Sequence, residues 1–263
     1  MHIRSITLSV LLVAFLTACA QVSQQVTPPV KDEPDLGLVR LAQDIEGRGE
    51  SGTALALYER AAEVSGDAAA YVRLGDAYSR ADKVSEAITA YRTALGKAPD
   101  DAEAELGLGG ALVKKGDYEG GLKALAKAAP VVKTGAAYNR LGVAQTLTGR
   151  LHDAEASFES ARELAPDDLD ISTNLALAAA LAGEDQKAIT LMQSVVQSAG
   201  AEPRHQRNLV IIYSLFGRID EARAAAPQDL SPQDLQKLIE RAKSIRAIND
   251  ARARARALGT ISS

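Results

Sequence analysis

Cys19 is the residue of this sequence best placed for covalent chemistry. The segment before it has a basic start, an apolar stretch over residues 6–16 and the run Leu16-Thr17-Ala18. The apolar stretch is shorter than the roughly 20 residues that span a bilayer, so it indicates a cleaved export signal. Small residues suit a signal peptidase, and the thiol that follows can accept lipid. We predict removal of residues 1–18 and acylation of Cys19; a chance small-residue and cysteine sequence in an ordinary signal is the alternative.

Two further observations agree with acylation at this position. Cys19 is the single cysteine of the chain, and acylation would consume a thiol that is a liability in an oxidising compartment. The next residue is Ala20 rather than the aspartate associated with inner-membrane retention, and in this the sequence resembles outer-membrane lipoproteins. That resemblance implies a lipid anchor in the inner leaflet of the outer membrane, with the protein facing the periplasm.

Residues for catalysis or metal binding are hard to find. The histidines are His2, His152 and His205, and their positions do not match the spacing of metal ligands. The sequence also has no glycine-rich phosphate loop, no nucleophile elbow and no Cys-His arrangement. Paired acids such as Asp100-Asp101 and Asp167-Asp168 directly follow prolines, where acids favour the start of a helix. We therefore predict a non-enzyme with no catalytic residue, metal, cofactor or small-molecule substrate.

Side chains suited to holding a peptide are more plentiful. Amides can bond a peptide backbone, and a guanidinium can hold a carboxylate through two hydrogen bonds. The candidates lie at related positions roughly 34 residues apart: Asn139, Arg140, Asn174, Arg204, Arg207 and Asn208. The alternative is that the asparagines join neighbouring helices and the arginines are ordinary solvated charges.

The element that must position these side chains is a repeated pair of helices. Small residues recur every 33 or 34 residues in two series: Ala42, Gly75, Gly109, Gly142 and Ala176, closed by Val210, and Ala54, Ala87, Gly121, Ala154, Ala188 and Ala222. Each series marks a place where two helices approach closely, so a bulky side chain would separate them. This is the tetratricopeptide (TPR) pattern. With it, the candidate amides and arginines resemble those of TPR proteins of the carboxylate-clamp type. It predicts an all-α, right-handed superhelical solenoid whose concave face comes mainly from the first helix of each repeat.

Five full repeats and one partial repeat are expected between residues 35 and 226. Their bounds are 35–67, 68–101, 102–134, 135–168 and 169–202, with a sixth that begins at Pro203 and is cut short by Pro227. Glycines fall where the first helix must reverse, at Gly49, Gly116, Gly149, Gly183 and Gly217. The third repeat carries three further glycines, Gly107, Gly110 and Gly120, and we expect Pro130 to end its second helix early. We therefore expect that repeat to open first.

The segments that flank the repeats differ in composition. Residues 19–34 are polar and proline-rich, which predicts a flexible tether between the lipid and the folded part. The chain has a net charge of −4, and cleavage removes Arg4 and no acid, so we predict no nucleic-acid partner.

Residues 227–263 are expected to close the solenoid. Ser231 followed by Pro232 predicts an N-cap and the first turn of a helix that caps the last repeat. Beyond it, three arginines alternate with alanine, and we predict a solvated basic tail there: Arg252, Arg254 and Arg256.

This combination of features resembles the TadD family, the TPR lipoproteins of tight-adherence (Flp-type) pilus assembly. The resemblance is carried by Leu16-Thr17-Ala18-Cys19, by the five repeats, by residues 207–218 of the last unit and by the run Asp229-Leu230-Ser231-Pro232 before the final helix. It implies a periplasmic assembly factor that acts as a pilotin-like partner of the outer-membrane secretin or of other pilus components.

Two alternatives share the architecture. One is a TPR lipoprotein that recruits peptidoglycan hydrolases or other envelope machinery. The other is a cytoplasmic co-chaperone, a class that lacks lipidation at a residue such as Cys19.

Overall fold

The computed structural model describes residues 34–259, and this part of the chain folds into fourteen α-helices. Consecutive helices pack as antiparallel pairs, which confirms the predicted all-α class of TPR helix pairs. The predicted signal, Cys19 and the tether up to residue 33 lie outside the described residues.

The helices follow the order expected from the repeat period. The first helix of each pair is α1 (Pro34–Gly47), α3 (Ala68–Arg80), α5 (Ala102–Lys115), α7 (Gly135–Leu147), α9 (Leu169–Ala182) or α11 (Pro203–Leu215). The second helix is α2 (Ser51–Ser65), α4 (Val84–Lys97), α6 (Tyr118–Val132), α8 (Leu151–Leu164), α10 (Asp185–Gln197) or α12 (Ile219–Ala224). Two more helices follow, α13 (Pro232–Arg246) and α14 (Ala251–Gly259).

Local sequence fixes where many of these helices begin and turn. The carboxylates of Asp101 and Asp168 accept hydrogen bonds from the first backbone N–H groups of α5 and α9, as expected for acids after proline. The five glycines predicted at the reversals all have positive φ, between 78° and 91°. A side chain is strained in that conformation, which explains why glycine recurs there.

The predicted small residues lie at the contacts between paired helices. A Cβ on Gly75 would stand 2.6 Å from the ring of Tyr91, and one on Gly142 would stand 2.7 Å from the ring of Phe158. Both rings come from the second helix of the same repeat and are buried. The small residue on the first helix therefore makes room for an aromatic side chain of the second, which confirms the packing argument and identifies the partner.

The third repeat uses its extra glycines in different ways. Gly107 contacts the same Tyr91 ring, and a Cβ there would stand 2.3 Å from Cε1, so this ring lies between glycines of two repeats. The expected early end of the second helix is wrong, because α6 passes through Pro130 and continues to Val132. The proline lies in the last turn, so few helical hydrogen bonds are lost there, and the Lys133 N–H still bonds the Ala129 carbonyl.

The C-terminal helices close one end of the described structure. The Ser231 hydroxyl accepts from the Asp234 N–H at 3.1 Å, and α13 then packs on α11 with Ile239, Ala242 and Ile245 buried. The chain next turns back, and α14 contacts α7 and α9. Residues 251–259 therefore form a docked helix rather than a free tail, whereas Arg252 and Arg256 are exposed to solvent as expected.

No helix between residues 34 and 259 is both long enough and apolar enough to cross a membrane.

Two glycines of α5 provide a matched test of this packing. A Cβ on Gly110 would meet only Arg140 Cδ, at 3.9 Å, whereas a Cβ on Gly107 would overlap the Tyr91 ring. We expect Gly110→Ala to stabilise the protein by about 0.5–1 kcal/mol, because alanine favours the helix. We expect Gly107→Ala to destabilise it by about 1–3 kcal/mol, because the ring must move. Urea unfolding measures both, and equal stabilisation by the two substitutions would contradict the Tyr91 contact.

Candidate binding surface

The first helices of repeats two to four line an open cleft of about 770 Å³. Its floor is formed by α5, where Gly107 and Gly110 face the opening. One wall comes from α3 and includes Asp76, and the other comes from α7 and includes Arg140. We call this surface the open cleft.

The missing side chains of the two glycines give the cleft its depth. Gly107 leaves room for the Tyr91 ring beneath the floor, and Gly110 has open space above it. A side chain at Gly110 would narrow the channel between α3 and α7, and one at Gly107 would displace the Tyr91 ring. The glycines that weaken the helix thus also expose backbone to a ligand.

A hydrogen-bonded group links the floor of the cleft to one wall. The Tyr91 hydroxyl donates to Asp76 Oδ1 at 2.7 Å and lies 3.3 Å from Ser79 Oγ. Burial raises the pKa of the Tyr91 phenol, and the hydrogen bond to the Asp76 carboxylate raises it further, whereas the contact with Ser79 acts in the opposite direction. The phenol therefore stays neutral at ordinary pH.

Arg140 is the cation of the cleft that is available to a ligand. Arg80 is held by Glu46, with Nε 2.6 Å from Oε1, and Lys114 Nζ is 2.7 Å from Asp82 Oδ1. Arg140 is exposed, and among residues 34–259 it has neither an ion pair nor a hydrogen-bonded side-chain partner. Its guanidinium is free to bind an anionic group in the open cleft.

The predicted asparagines are arranged differently from one another. Asn174 Nδ2 donates to Asn139 Oδ1 at 3.0 Å, so these half-buried side chains connect α7 to α9. This is the structural role considered as the alternative for the asparagines. Asn139 also lines the open cleft, whereas Asn208 is buried in α11.

The other predicted arginines already have partners. Arg204 is 2.7 Å from Asp170 and 2.8 Å from Glu202. Arg207 Nη2 donates to Asp229 Oδ2 at 2.9 Å. Either guanidinium would have to leave an ion pair before it could hold a peptide carboxylate. Peptide binding by the six predicted residues stays a prediction, and the structure places only Asn139 and Arg140 in the open cleft.

The floor of the open cleft is formed by residues that are not among the predicted binding residues. In the sequence, Gly107 and Gly110 indicate only weak points of a helix, and Tyr91 carries no signal of a binding role. One signal in the sequence could have found the two glycines. They are three residues apart, so they lie on one face of a first helix, and they flank Gly109, which belongs to the series of small residues that recurs every 33 or 34 residues.

The concave surface of repeats four and five is covered by the chain itself. Ala255 and Leu258 of α14 lie against side chains of α7 and α9 that include Val143, Thr146 and Leu177. Asn174 lies in this part as well. We call it the covered surface.

The buried histidine belongs to a helix start. His205 Nδ1 accepts a hydrogen bond from the Glu202 N–H at 2.8 Å at the beginning of α11, and its side chain is buried. In the described part of the chain there is no group of three or more potential metal ligands.

A model of the tetratricopeptide repeat family matches residues 72–137 and 147–203. These stretches contain most of the residues that line the open cleft, but Asn139 and Arg140 fall between them. No curated protein sequence gives a significant match.

Several solved structures share the fold. PilF of Pseudomonas aeruginosa is 20% identical with a TM-score of 0.63, over 78% of this chain and 98% of that one. A tetratricopeptide repeat protein from Parabacteroides merdae is 15% identical with a TM-score of 0.63, over 86% and 92%. YrrB, described as a TPR protein with an unusual peptide-binding site, is 20% identical with a TM-score of 0.55, over 71% and 97%. At these identities the likeness shows the fold alone.

The hydroxyl of Tyr91 can be tested apart from its ring. Tyr91→Phe keeps the ring between Gly75 and Gly107 but removes the bond to Asp76, and we expect a loss of about 0.5–1.5 kcal/mol at pH 7. Because the folded-state pKa of this tyrosine is raised, its stabilisation is complete below the unfolded pKa near 10 and is lost as pH rises above it. Wild type should therefore lose stability faster than Tyr91→Phe between about pH 9.5 and 11. Urea unfolding at each pH measures the stability. If the free energies of unfolding of the two proteins fell in parallel over this pH range, the assignment would be contradicted.

Proposed function

We propose that this tetratricopeptide-repeat protein is a non-enzymatic scaffold that is anchored to the outer membrane through Cys19 and binds an extended segment of a pilus assembly partner in its open cleft. The observation that carries the proposal is the unpaired Arg140 beside a cleft floored by Gly107 and Gly110. TPR proteins bind protein partners through such surfaces, and the pilus role rests on the resemblance to the TadD family.

The shape of the cleft suits an extended peptide. Its volume of about 770 Å³ can hold several residues, and its two walls are formed by helices α3 and α7. The glycine floor lets a peptide backbone approach closely. An extended strand has unpaired backbone groups, and the amide of Asn139 at the wall can donate to one of its carbonyl oxygens.

The charges of the cleft favour a partner segment with a carboxylate. The guanidinium of Arg140 can form two charge-assisted hydrogen bonds to such a group. On the other wall Asp76 is exposed and carries negative charge, so it would favour a basic or amide side chain of the partner. These two groups make the two walls opposite in charge, so each would favour a different side of the bound segment.

The proposed anchor explains how the scaffold would meet its partner. A lipid at Cys19 and the polar residues after it would hold the repeats near the inner face of the outer membrane. A secretin subunit or another component of the tight-adherence pilus would present its periplasmic segment there. The partner is therefore a protein of the envelope, and the role of the scaffold is to hold it during assembly.

Arg140→Glu tests the cleft directly. We expect affinity for the captured partner segment to fall by about ten- to a hundred-fold, because two charge-assisted bonds are replaced by repulsion. The measurement is co-purification of the secretin subunit, followed by titration and by counting of surface pili. Arg92→Glu is the matched control, since Arg92 is also exposed and lies on α4, a second helix.

Normal binding and normal pili in folded Arg140→Glu would contradict the cleft as the binding surface. Capture of peptidoglycan hydrolases in place of pilus proteins by the wild type would instead support the alternative role and contradict the pilus assignment. Equal losses in Arg140→Glu and Arg92→Glu would show an effect of net charge alone.

The anchor has its own test. Cys19→Ser should leave an unprocessed precursor or a soluble protein, because the thiol is the only acylation site of the chain. Metabolic labelling with palmitate and separation of the membrane fractions measure this. Labelling that persists in Cys19→Ser would contradict the anchor, as would wild-type protein found entirely in the soluble periplasmic fraction.

A further inference from the structure

The last helix occupies the concave surface in the way that a bound peptide would. Helix α14 lies across α7 and α9, and its buried side chains are Ala255 and Leu258, three residues apart on one helical face. Leu177 and Leu181 of α9 are in the same apolar cluster as these two residues. The contact is narrow, since one small and one branched side chain supply the buried apolar face of α14.

The arginines of the C-terminal helices meet the ends of three first helices. Arg252 approaches the turn at Gly149 after α7, where a Cβ would stand 3.0 Å from Arg252 Cγ. Arg254 lies beside Gly183 after α9. Arg246 approaches Gly217 after α11, where a Cβ would stand 2.7 Å from its Nη1. A helix C-terminus carries partial negative charge, so cations are favoured at each of these places.

Side chains at the edge of the covered surface also favour a basic helix. The Arg256 guanidinium lies 4.5 Å from the centre of the Tyr118 ring, within the range of a cation–π contact. Arg252 Nη1 lies 3.8 Å from Glu119 Oε1. The covered surface therefore has an apolar centre, an aromatic ring and an acid at one edge, and helix C-termini along another.

Helix α14 is held weakly compared with the helices of the repeats. It has nine residues, and isolated helices of this length are marginal in water. It is the last helix of the described chain and is joined to α13 through residues 247–250, so its release leaves every repeat intact. Its polar contacts are also imperfect, because Arg254 Nε is buried without a hydrogen-bond partner.

From this arrangement we propose that the covered surface is a second docking site, that α14 is its built-in occupant, and that its external partner is a short basic helix. The partner presents a small residue and a leucine three positions apart, with arginines on both sides. It replaces α14 and forms the same contacts with α7 and α9. This proposal does not depend on the open cleft, because Val143 is the one lining residue that the two surfaces share.

A labelled peptide with the sequence of residues 249–259 is the probe. In the wild-type chain the tethered α14 competes at an effective concentration of about millimolar order, so the peptide binds poorly. Leu258→Asp in the full chain should release α14, and we expect the peptide to bind this variant about ten-fold or more tightly than wild type. Fluorescence anisotropy measures binding, and hydrogen exchange should show protection of α7 and α9 by the peptide.

Two further variants keep the test independent of the choice of residue. Ala255→Asp lies on the same buried face and should behave as Leu258→Asp does. Ala253→Asp lies on the exposed face and should keep the wild-type affinity. Circular dichroism checks that the repeats stay folded.

Peptide binding of equal strength to wild type and Leu258→Asp would overturn the proposal, because α14 would then not compete for the site. Absence of peptide binding to both folded release variants, at peptide concentrations up to about millimolar order, would overturn it too. Protection of the α3 and α5 amides in place of those of α7 and α9 would show that the peptide binds elsewhere.

Discussion

In repeats two to four, the contact of a glycine on the first helix with a ring or branched side chain on the second sets the geometry on which the rest of the structure depends. In the second repeat the Tyr91 ring lies against Gly75, and Gly107 of the next repeat contacts the same ring. One side chain therefore fixes the spacing of three helices, α3, α4 and α5. The same ring carries the hydroxyl that holds Asp76 at the wall of the open cleft. Packing between repeats and the shape of the binding surface are thus two results of one contact.

The concave surface is divided because the last repeat is incomplete. Helix α12 has six residues, less than half the length of the second helices before it, and the chain leaves it near Pro227. Helix α13 then covers α11, and α14 returns over α7 and α9. Repeats two to four keep an open cleft as a result, whereas the next part of the surface is occupied. A scaffold with both kinds of surface can keep the open cleft available to a partner while it restricts access to the covered surface.

Sequence could predict the repeats because their constraints are local and periodic. Small residues and turn glycines recur at fixed spacing, so the register of each helix pair follows from the chain itself. The position of α14 could not be predicted in this way, since Ala255 and Leu258 give little helical periodicity and their partners lie about 80 residues or more away in the chain. The site was predicted in part. Arg140 lies in the open cleft, but Arg204 and Arg207 form ion pairs with acids that the repeat pattern does not place. Gly107 and Gly110 weaken helix α5 but give the open cleft its depth. The sequence shows only the weakening of the helix.

The division of the concave surface can be tested with thiols at equivalent positions of two repeats. Gly110 and Leu177 occupy the same place on α5 and α9, but Gly110 lines the open cleft and Leu177 is buried in the same cluster as α14. In a chain that carries Cys19→Ser, we measure the rate at which a maleimide modifies Gly110→Cys and Leu177→Cys, each with and without Leu258→Asp. The account predicts that the thiol at position 177 reacts about ten-fold or more slowly than the one at 110, and that release of α14 removes most of this difference. Equal rates at the two positions while α14 is intact would contradict it.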